Sequence, residues 1–334
     1  MTRYHRHSSV FRITATAMTV LLALLGMARS AHAFTFVSQA RLGNRSVTSP
    51  SVTAANGTIY LAFLGTDSHR RINVARSTDG MNFTQTVQLG GNTSPFAPAI
   101  AFFNGQVYVA FTGADPNGSI NLVWGDGTNF PNQVVLPNTN AFSGPGLGVA
   151  NGKLYLAWLG REAPNKLHIT SSSFPNSFPA QTVIDFSSSN TALQGLRGSP
   201  AVLGIHDPQL LGVGDLVVIA FTFADGKVQL LTDQGSFGTF SGHTFTQIST
   251  SSGSGLWFDG SRMLLAALDA GSGLTLSASS LGSGGSIFLA PQETLANNNR
   301  SFATPAVVAF NGRLFYYWTG DNSDQNLNVM QLVP

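Results

Sequence analysis

The chain of 334 residues contains no cysteine, so no disulfide can brace it. Its stability must come from a core, and a chain of about 300 residues is long enough to bury one. Charged residues are few, at 10% of the sequence. No basic cluster denser than His69-Arg70-Arg71 occurs beyond the first thirty-three residues, which argues against a nucleic-acid partner. Beyond those residues no apolar run is long enough to span a membrane. Neither G-x-S-x-G nor G-x-x-x-x-G-K occurs, so a serine hydrolase elbow and a phosphate loop are both missing. His69, His168, His206 and His243 are scattered and lack the spacing of a zinc site. Asp321-Asn322-Ser323-Asp324 lacks the spaced acids and glycine of a calcium loop. No metal and no cofactor is expected.

What is present begins with a secretory layout. MTRYHRHSSVFR is basic, ITATAMTVLLALLGMA is apolar but short, and Ala31-His32-Ala33 has the A-x-A form of a cleavage site. Residues 1–33 are expected to be a signal peptide, removed near Ala33 to leave a secreted or periplasmic protein of residues 34–334. Four of the 17 basic residues, Arg3, Arg6, Arg12 and Arg29, lie in that segment. The remaining 13 face 15 acidic residues, so the basic isoelectric point belongs to the precursor.

Residues 34–334 are rich in Gly, Ser, Asn and Thr, a composition that suits short strands and tight turns. They also repeat. SPSVTAANGTIYLAFLG, APAIAFFNGQVYVAFTG, GPGLGVANGKLYLAWLG and TPAVVAFNGRLFYYWTG align throughout, with weaker copies at SPAVLGIHDPQLLGVGDLVVIAFTF and GSGLWFDGSRMLLAALD. Asn56-Gly57, Asn104-Gly105, Asn151-Gly152, Asp259-Gly260 and Asn311-Gly312 share one position in the alignment. Such pairs favour two-residue hairpins, because both central residues need positive φ. Each unit of about 48 residues then reads as strand, hairpin, strand, polar loop, strand, turn, strand. The predicted fold is all-β, a single six-bladed β-propeller with four-stranded blades. The sixth copy ends after a third strand at LNVMQLVP, and FTFVSQARLGN resembles a missing fourth. The N-terminal strand is therefore expected to close the last blade, which would remove open sheet edges.

In such a ring the loops after the second and fourth strands share one face, around the channel mouth, and loops carry most ligand chemistry. After the second strand each copy brings a carboxylate: Asp67, Asp115, Glu162, Asp225, Asp269 and Asp321. The approach to the first strand brings Arg45, Arg197 and Arg300, with Asn44, Asn92, Asn140 and Asn299. Arginine, carboxylate and amide together can make directed hydrogen bonds to a hydroxyl-rich ligand. The same side chains can equally tie down their own turns. Arg45, Arg197, Arg300, Asp67, Asp115, Glu162 and Asp321 form the candidate ligand-binding set. Trp158 and Trp318 share a strand position with Phe63, Phe111 and Phe221, which reads as core packing.

Ser77-Thr78-Asp79-Gly80 followed by Phe83, and Asp126-Gly127 followed by Phe130, resemble the Asp-box (BNR-type) turns of the sialidase superfamily of propellers. That resemblance implies six blades, with the Asp boxes on the face away from the active site. It also implies an arginine on the first inner strand, where Ser49 stands here, and a tyrosine–glutamate pair. Glu162 and Glu293 are the only glutamates, and neither is placed for that pairing. The family's catalytic motif is thus not matched, and no catalytic residue is assigned. Three functions stay open: a lectin-like protein binding a glycan or glycoconjugate, a sialidase-like exo-glycosidase, and a non-catalytic scaffold for protein contacts.

Overall fold

The computed structural model describes residues 34–162, 166–179, 181–185, 195–206, 215–233, 241–250, 252–281, 287–289, 293–295 and 299–333. The expected signal peptide and its cleavage site lie outside the described residues. Every regular element among the described residues is a strand. They form six antiparallel sheets, each built mainly of four strands.

Strand β1 (Thr35–Arg45) comes first. Blade one holds β2 to β5 (Ser51–Ala55, Thr58–Leu64, Arg71–Ser77, Gln85–Thr93). Blade two holds β6 to β9 (Ala99–Phe103, Gln106–Thr112, Ile120–Gly125, Asn132–Val135). Blade three holds β10 to β13 (Gly146–Ala150, Lys153–Leu159, Leu167–Ser172, Thr182–Ile184). Blade four holds β14 to β17 (Leu196–Ile205, Leu216–Phe223, Lys227–Asp233, Ser241–Ser249). Blade five holds β18 to β22 (Gly255–Phe258, Met263–Leu268, Leu274–Leu281, Ile287–Leu289, Glu293–Thr294), its last two strands both pairing with β20. Blade six holds β23 to β25 (Ala306–Phe310, Arg313–Thr319, Asn326–Val333), and β1 lies beside β25 from Thr35↔Val333 to Arg45↔Asn326.

The inner strands contact one another in the cyclic order β2, β6, β10, β14, β18, β23 and back to β2. Six blades thus surround a central axis. Second strands such as β3, β7 and β11 are sandwiched between neighbouring sheets, so after one half-buried residue they are buried throughout. That two-sided burial explains their unbroken apolar runs. Outer strands return to alternation, as in β9. Trp158 and Trp318 are almost fully buried and belong to the packing between blades.

The Asn-Gly hairpins form with both central residues at positive φ, as at Asn56 (51°) and Gly57 (71°). Blade five departs from the prediction. Phe258 pairs with Met263, so its turn has four residues rather than two. Asp259 there accepts hydrogen bonds from the backbone of Ser261 (2.9 Å) and Arg262 (2.7 Å), and pairs with the Arg262 guanidinium. A carboxylate that caps its own loop replaces the left-handed pair.

The two Asp-box turns explain how neighbouring blades lock. Asp79 Oδ1 accepts from the amides of Met81 and Asn82, each at 2.8 Å, while the Asn82 side chain donates to Oδ2 at 2.7 Å. Burial pushes the Asp79 carboxyl up, yet the bonds from Asn82, Met81 and Ser77 outweigh it and hold it far below the ordinary range. In blade two, the Thr128 hydroxyl and the Asn129 and Thr128 amides hold Asp126 down at about 2. Each turn rests on the preceding blade: Tyr317 Oη donates to the Gly80 carbonyl at 2.9 Å, and Phe83 meets the Tyr317 ring edge-on.

Candidate functional site

The loops after second strands follow one scheme. In blade one the Arg70 amide donates to the Asp67 carbonyl (3.0 Å) and the His69 amide to Asp67 Oδ1 (2.9 Å). In blade two the Gly118 amide donates to the Asp115 carbonyl (3.0 Å), and Asp115 accepts from the Asn117 and Ser119 amides (3.1 and 3.0 Å). In blade five Asp269 accepts from Gly271 and Gly273, both at 2.8 Å. In blade four Asp225 accepts from the Lys227 amide at 2.9 Å. A short loop leaves amides without strand partners, and the carboxylate satisfies them. Desolvation raises the Asp115 carboxyl, but bonds from Ser119 and Asn117 bring it below its ordinary value. The repeated acids are therefore turn caps, already engaged by their own backbone.

Two blades break the scheme. In blade six Asn322 occupies the capping place, accepting at its carbonyl from the Gln325 amide at 3.1 Å. Asp321 is one residue earlier and pairs instead with Arg300, Nε to Oδ2 3.1 Å. In blade three the residue at the capping place is Glu162, and its carboxylate bonds His168 Nε2. His168 stands where blades one, two and six have Asn73, Asn121 and Asn328, each donating to the carbonyl two residues before it. Its ring stacks on Trp158 at 5.4 Å, and Nδ1 meets Gln181 Oε1 at 2.9 Å.

The three candidate arginines do not form one cluster. Arg45 Nε donates to the Asp324 carbonyl, and its strand neighbour Arg41 pairs with the Asp324 carboxylate at 3.2 Å. Arg45 and Arg300 thus grip opposite ends of the same blade-six loop. Arg197 is held in blade four, where Nη2 donates to the Thr250 carbonyl at 2.6 Å.

The central channel is equally informative. Its mouth is lined by residues on or just before the inner strands of all six blades, and five blades place proline there: Pro50, Pro98, Pro145, Pro200 and Pro305. The cavity measures about 120 Å³, and none of the seven candidate residues lines it. Ligand pockets for drug-sized molecules run from about 300 Å³ upward. Close approach of the inner strands keeps the space small. A methyl group on Gly144 would lie 2.3 Å from the Ala97 carbonyl oxygen and 2.7 Å from Ser199 Oγ, atoms of both adjacent blades.

One column of the rim escaped the reading of charges. The residue three before the inner-strand proline is Val47, Pro95, Phe142, Arg197 and Phe302 in blades one, two, three, four and six. Phe142 and Phe302 are 48% and 42% exposed. Their shared distance from the proline was visible in the repeat, but attention to charged residues passes over it.

The comparisons with known proteins agree with this architecture. No family model matches the sequence, and no curated protein matches it. Solved structures do. A protein of unknown function from Dyadobacter fermentans superposes with TM-score 0.63 at 15% identity, over 90% of this chain and 99% of that one. The BP39L lectin of Burkholderia pseudomallei gives 0.58 at 13% identity, over 90% and 93%. Trypanosoma rangeli sialidase in complex with sialic acid gives 0.58 at 12% identity, over 90% of this chain and 57% of that one. The chain is a six-bladed β-propeller. At these identities the likeness concerns the fold.

Proposed function

We propose that this propeller is an exported, lectin-like carbohydrate-binding protein whose ligand sits on the loop rim and not in the channel. The observation that carries the reading is the contrast between the two places. The channel mouth is narrow and lined by proline, glycine, alanine, small hydroxyl residues and aliphatics, with no charged side chain. The rim offers half-exposed Phe142 and Phe302, the exposed Arg300–Asp321 pair, and Arg45. An aromatic face stacks on the C–H face of a sugar ring, while guanidinium and carboxylate groups bond its hydroxyls. Lectins and sialidases among the structural neighbours are consistent with a sugar ligand.

The exo-glycosidase reading is weaker. Hydrolysis needs two carboxyl groups facing one reacting bond. Asp67 and Asp115 sit in different blades and are each bonded to their own loop amides. A glycan array probed with the secreted protein tests the proposal, alongside a panel of fluorogenic glycosides that includes a sialoside. Binding without turnover is expected, from a chain whose mature N-terminus is Phe34 by mass spectrometry. Turnover above a blank would establish an enzyme, and a silent array would end the lectin reading.

A further inference from the structure

We propose that Phe142 and Phe302 are twin stacking platforms for neutral pyranose rings, placed on opposite sides of the channel mouth, so that one chain binds two sugar units. This rests on the lectin reading and adds the location, number and class of its sites.

The two phenylalanines share a backbone frame. Each stands three residues before the inner-strand proline, Pro145 or Pro305. The residue before each forms an isolated bridge to the glycine after the second strand, Ala141↔Gly160 and Ser301↔Gly320. In blade three the Phe142 amide donates to the Leu159 carbonyl at 2.7 Å. The equivalent residues in blades one, two and four are Val47, Pro95 and Arg197, none of them aromatic. Blades three and six are three steps apart in the six-membered ring of inner strands, so the platforms face each other across the axis.

Packing does not account for these rings. Neither belongs to the apolar clusters that join the blades, whereas Phe63, Phe111, Phe221 and Phe315 do. Leaving half of a phenylalanine in water forgoes burial that the fold uses elsewhere. Each ring has polar groups in its own loop layer that are fixed by bonds to the protein. Beside Phe142, Arg161 donates to the carbonyls of Ala141 (2.9 Å) and Pro116 (2.7 Å). Beside Phe302, Arg300 is neutralised by Asp321, and the Asn299 side chain donates to Gln39. A flat apolar surface edged by pre-positioned donors and acceptors suits a pyranose, which has an apolar face and a polar perimeter. Arg161 edges one site and the paired Arg300 and Asp321 the other, so no single charge is common to both, and the ligand that suits both is a neutral sugar. Two such sites on one face suit a glycan displayed many times on a surface, where tethering multiplies weak binding.

The test uses the whole secreted chain as wild type, Phe142→Ala, Phe302→Ala and the double variant, with Phe142→Tyr and Phe302→Tyr as conservative controls. Methyl glycosides of fucose, galactose, mannose and N-acetylglucosamine are titrated by calorimetry, and the same sugars are immobilised on a polymer for retention. The expected result is a stoichiometry of about two for the preferred sugar, falling to one in either single variant and to none in the double. Retention on the polymer falls about a hundredfold in each single variant and is preserved by tyrosine. Circular dichroism and melting temperature check that all variants stay folded. A double variant that binds like wild type overturns the twin platforms and leaves the lectin reading intact. A wild type that binds none of the panel but binds a different class on the array, such as a sialoside, also overturns this inference alone. A wild type silent on both defeats both readings.

Discussion

Replacing Gly80 by alanine should destabilise the protein far more than replacing Gly57, although both glycines have nearly the same backbone conformation. Their φ values are 79° and 71°. An L-residue in that region costs about 1–2 kcal/mol, a penalty common to the two sites. Gly57 lies in an open hairpin with nothing within 4 Å of an added Cβ. At Gly80 the added carbon would stand 2.6 Å from Phe315 Cε1 and 2.7 Å from Cζ. Phe315 is buried in blade six, so it cannot swing into solvent. Overpacking of this kind costs about 1–3 kcal/mol more. Gly57→Ala should therefore lose about 1–2 kcal/mol, and Gly80→Ala about 2–5 kcal/mol. Urea unfolding followed by tryptophan fluorescence and circular dichroism measures both, with agreement of the two probes as the check on two-state behaviour. Repeating Gly80→Ala in a Phe315→Leu background should recover most of the excess, a coupling of about 1–3 kcal/mol. Equal losses at Gly57 and Gly80, or no coupling to Phe315, would refute the claim that the Asp-box turn of blade one presses on blade six.

Blade three supplies another prediction. His168→Asn restores the residue that three other blades use and should cost less than about 1 kcal/mol in urea unfolding, whereas His168→Ala leaves Glu162 without its partner and should cost about 1–3 kcal/mol. Equal costs would mean that the Glu162 contact is unimportant. Acid unfolding tests the Asp-box caps. Asp79 and Asp126 are both held below the ordinary value of 3.8 in the folded chain, so the unfolded chain takes up their protons first as pH falls. Their stabilisation is complete above that ordinary value and is lost as pH falls below it, towards about 2 for Asp126 and further down for Asp79. Asp79→Asn and Asp126→Asn should each flatten the fall in urea midpoint between pH 5 and pH 2, and an unchanged slope would contradict the assigned bonds.

The blade pattern was legible because it rests on local rules. Asn-Gly favours a left-handed pair, and an apolar run as short as IYLAFL between two polar turns reads as a strand buried on both sides. Asp259-Gly260 misled for a physical reason. Aspartate can accept bonds from the next amides, so the loop was free to lengthen to four residues without a left-handed start. The site was harder to read, because a carboxylate in a loop looks the same in sequence whether it caps a turn or awaits a ligand. Asp67 and Asp115 proved to be engaged by amides of their own loops, and only coordinates show where those amides point. Asp321 shares their column approximately, yet a shift of one residue hands the cap to Asn322 and sends Asp321 to Arg300.

Those offsets say where function is to be sought in a repeated fold. A residue type that recurs in several blades, with the same bonds each time, is explained by the blade and needs no ligand. Asn73, Asn121 and Asn328 meet that standard, as do the capping acids. The informative positions are the ones where a blade abandons the shared solution and gains nothing structural in return. His168 abandons it but gains Glu162 and Trp158, so its change is compensated within the core. Phe142 and Phe302 stand in a column that has no shared residue, and they stay half in water with no cluster to repay the exposure. Arg300 abandons local bonding for an ion pair at the surface, where such a pair adds little stability. Phe302 and Arg300 are separated by a single residue, Ser301, whose buried hydroxyl lies 2.7 Å from the carbonyls of both Ala303 and Thr319 and accepts from the Ala303 amide. A rigid backbone that carries an exposed ring beside an exposed ion pair is poorly explained by stability, and well explained by a ligand that stacks on the one and bonds the other.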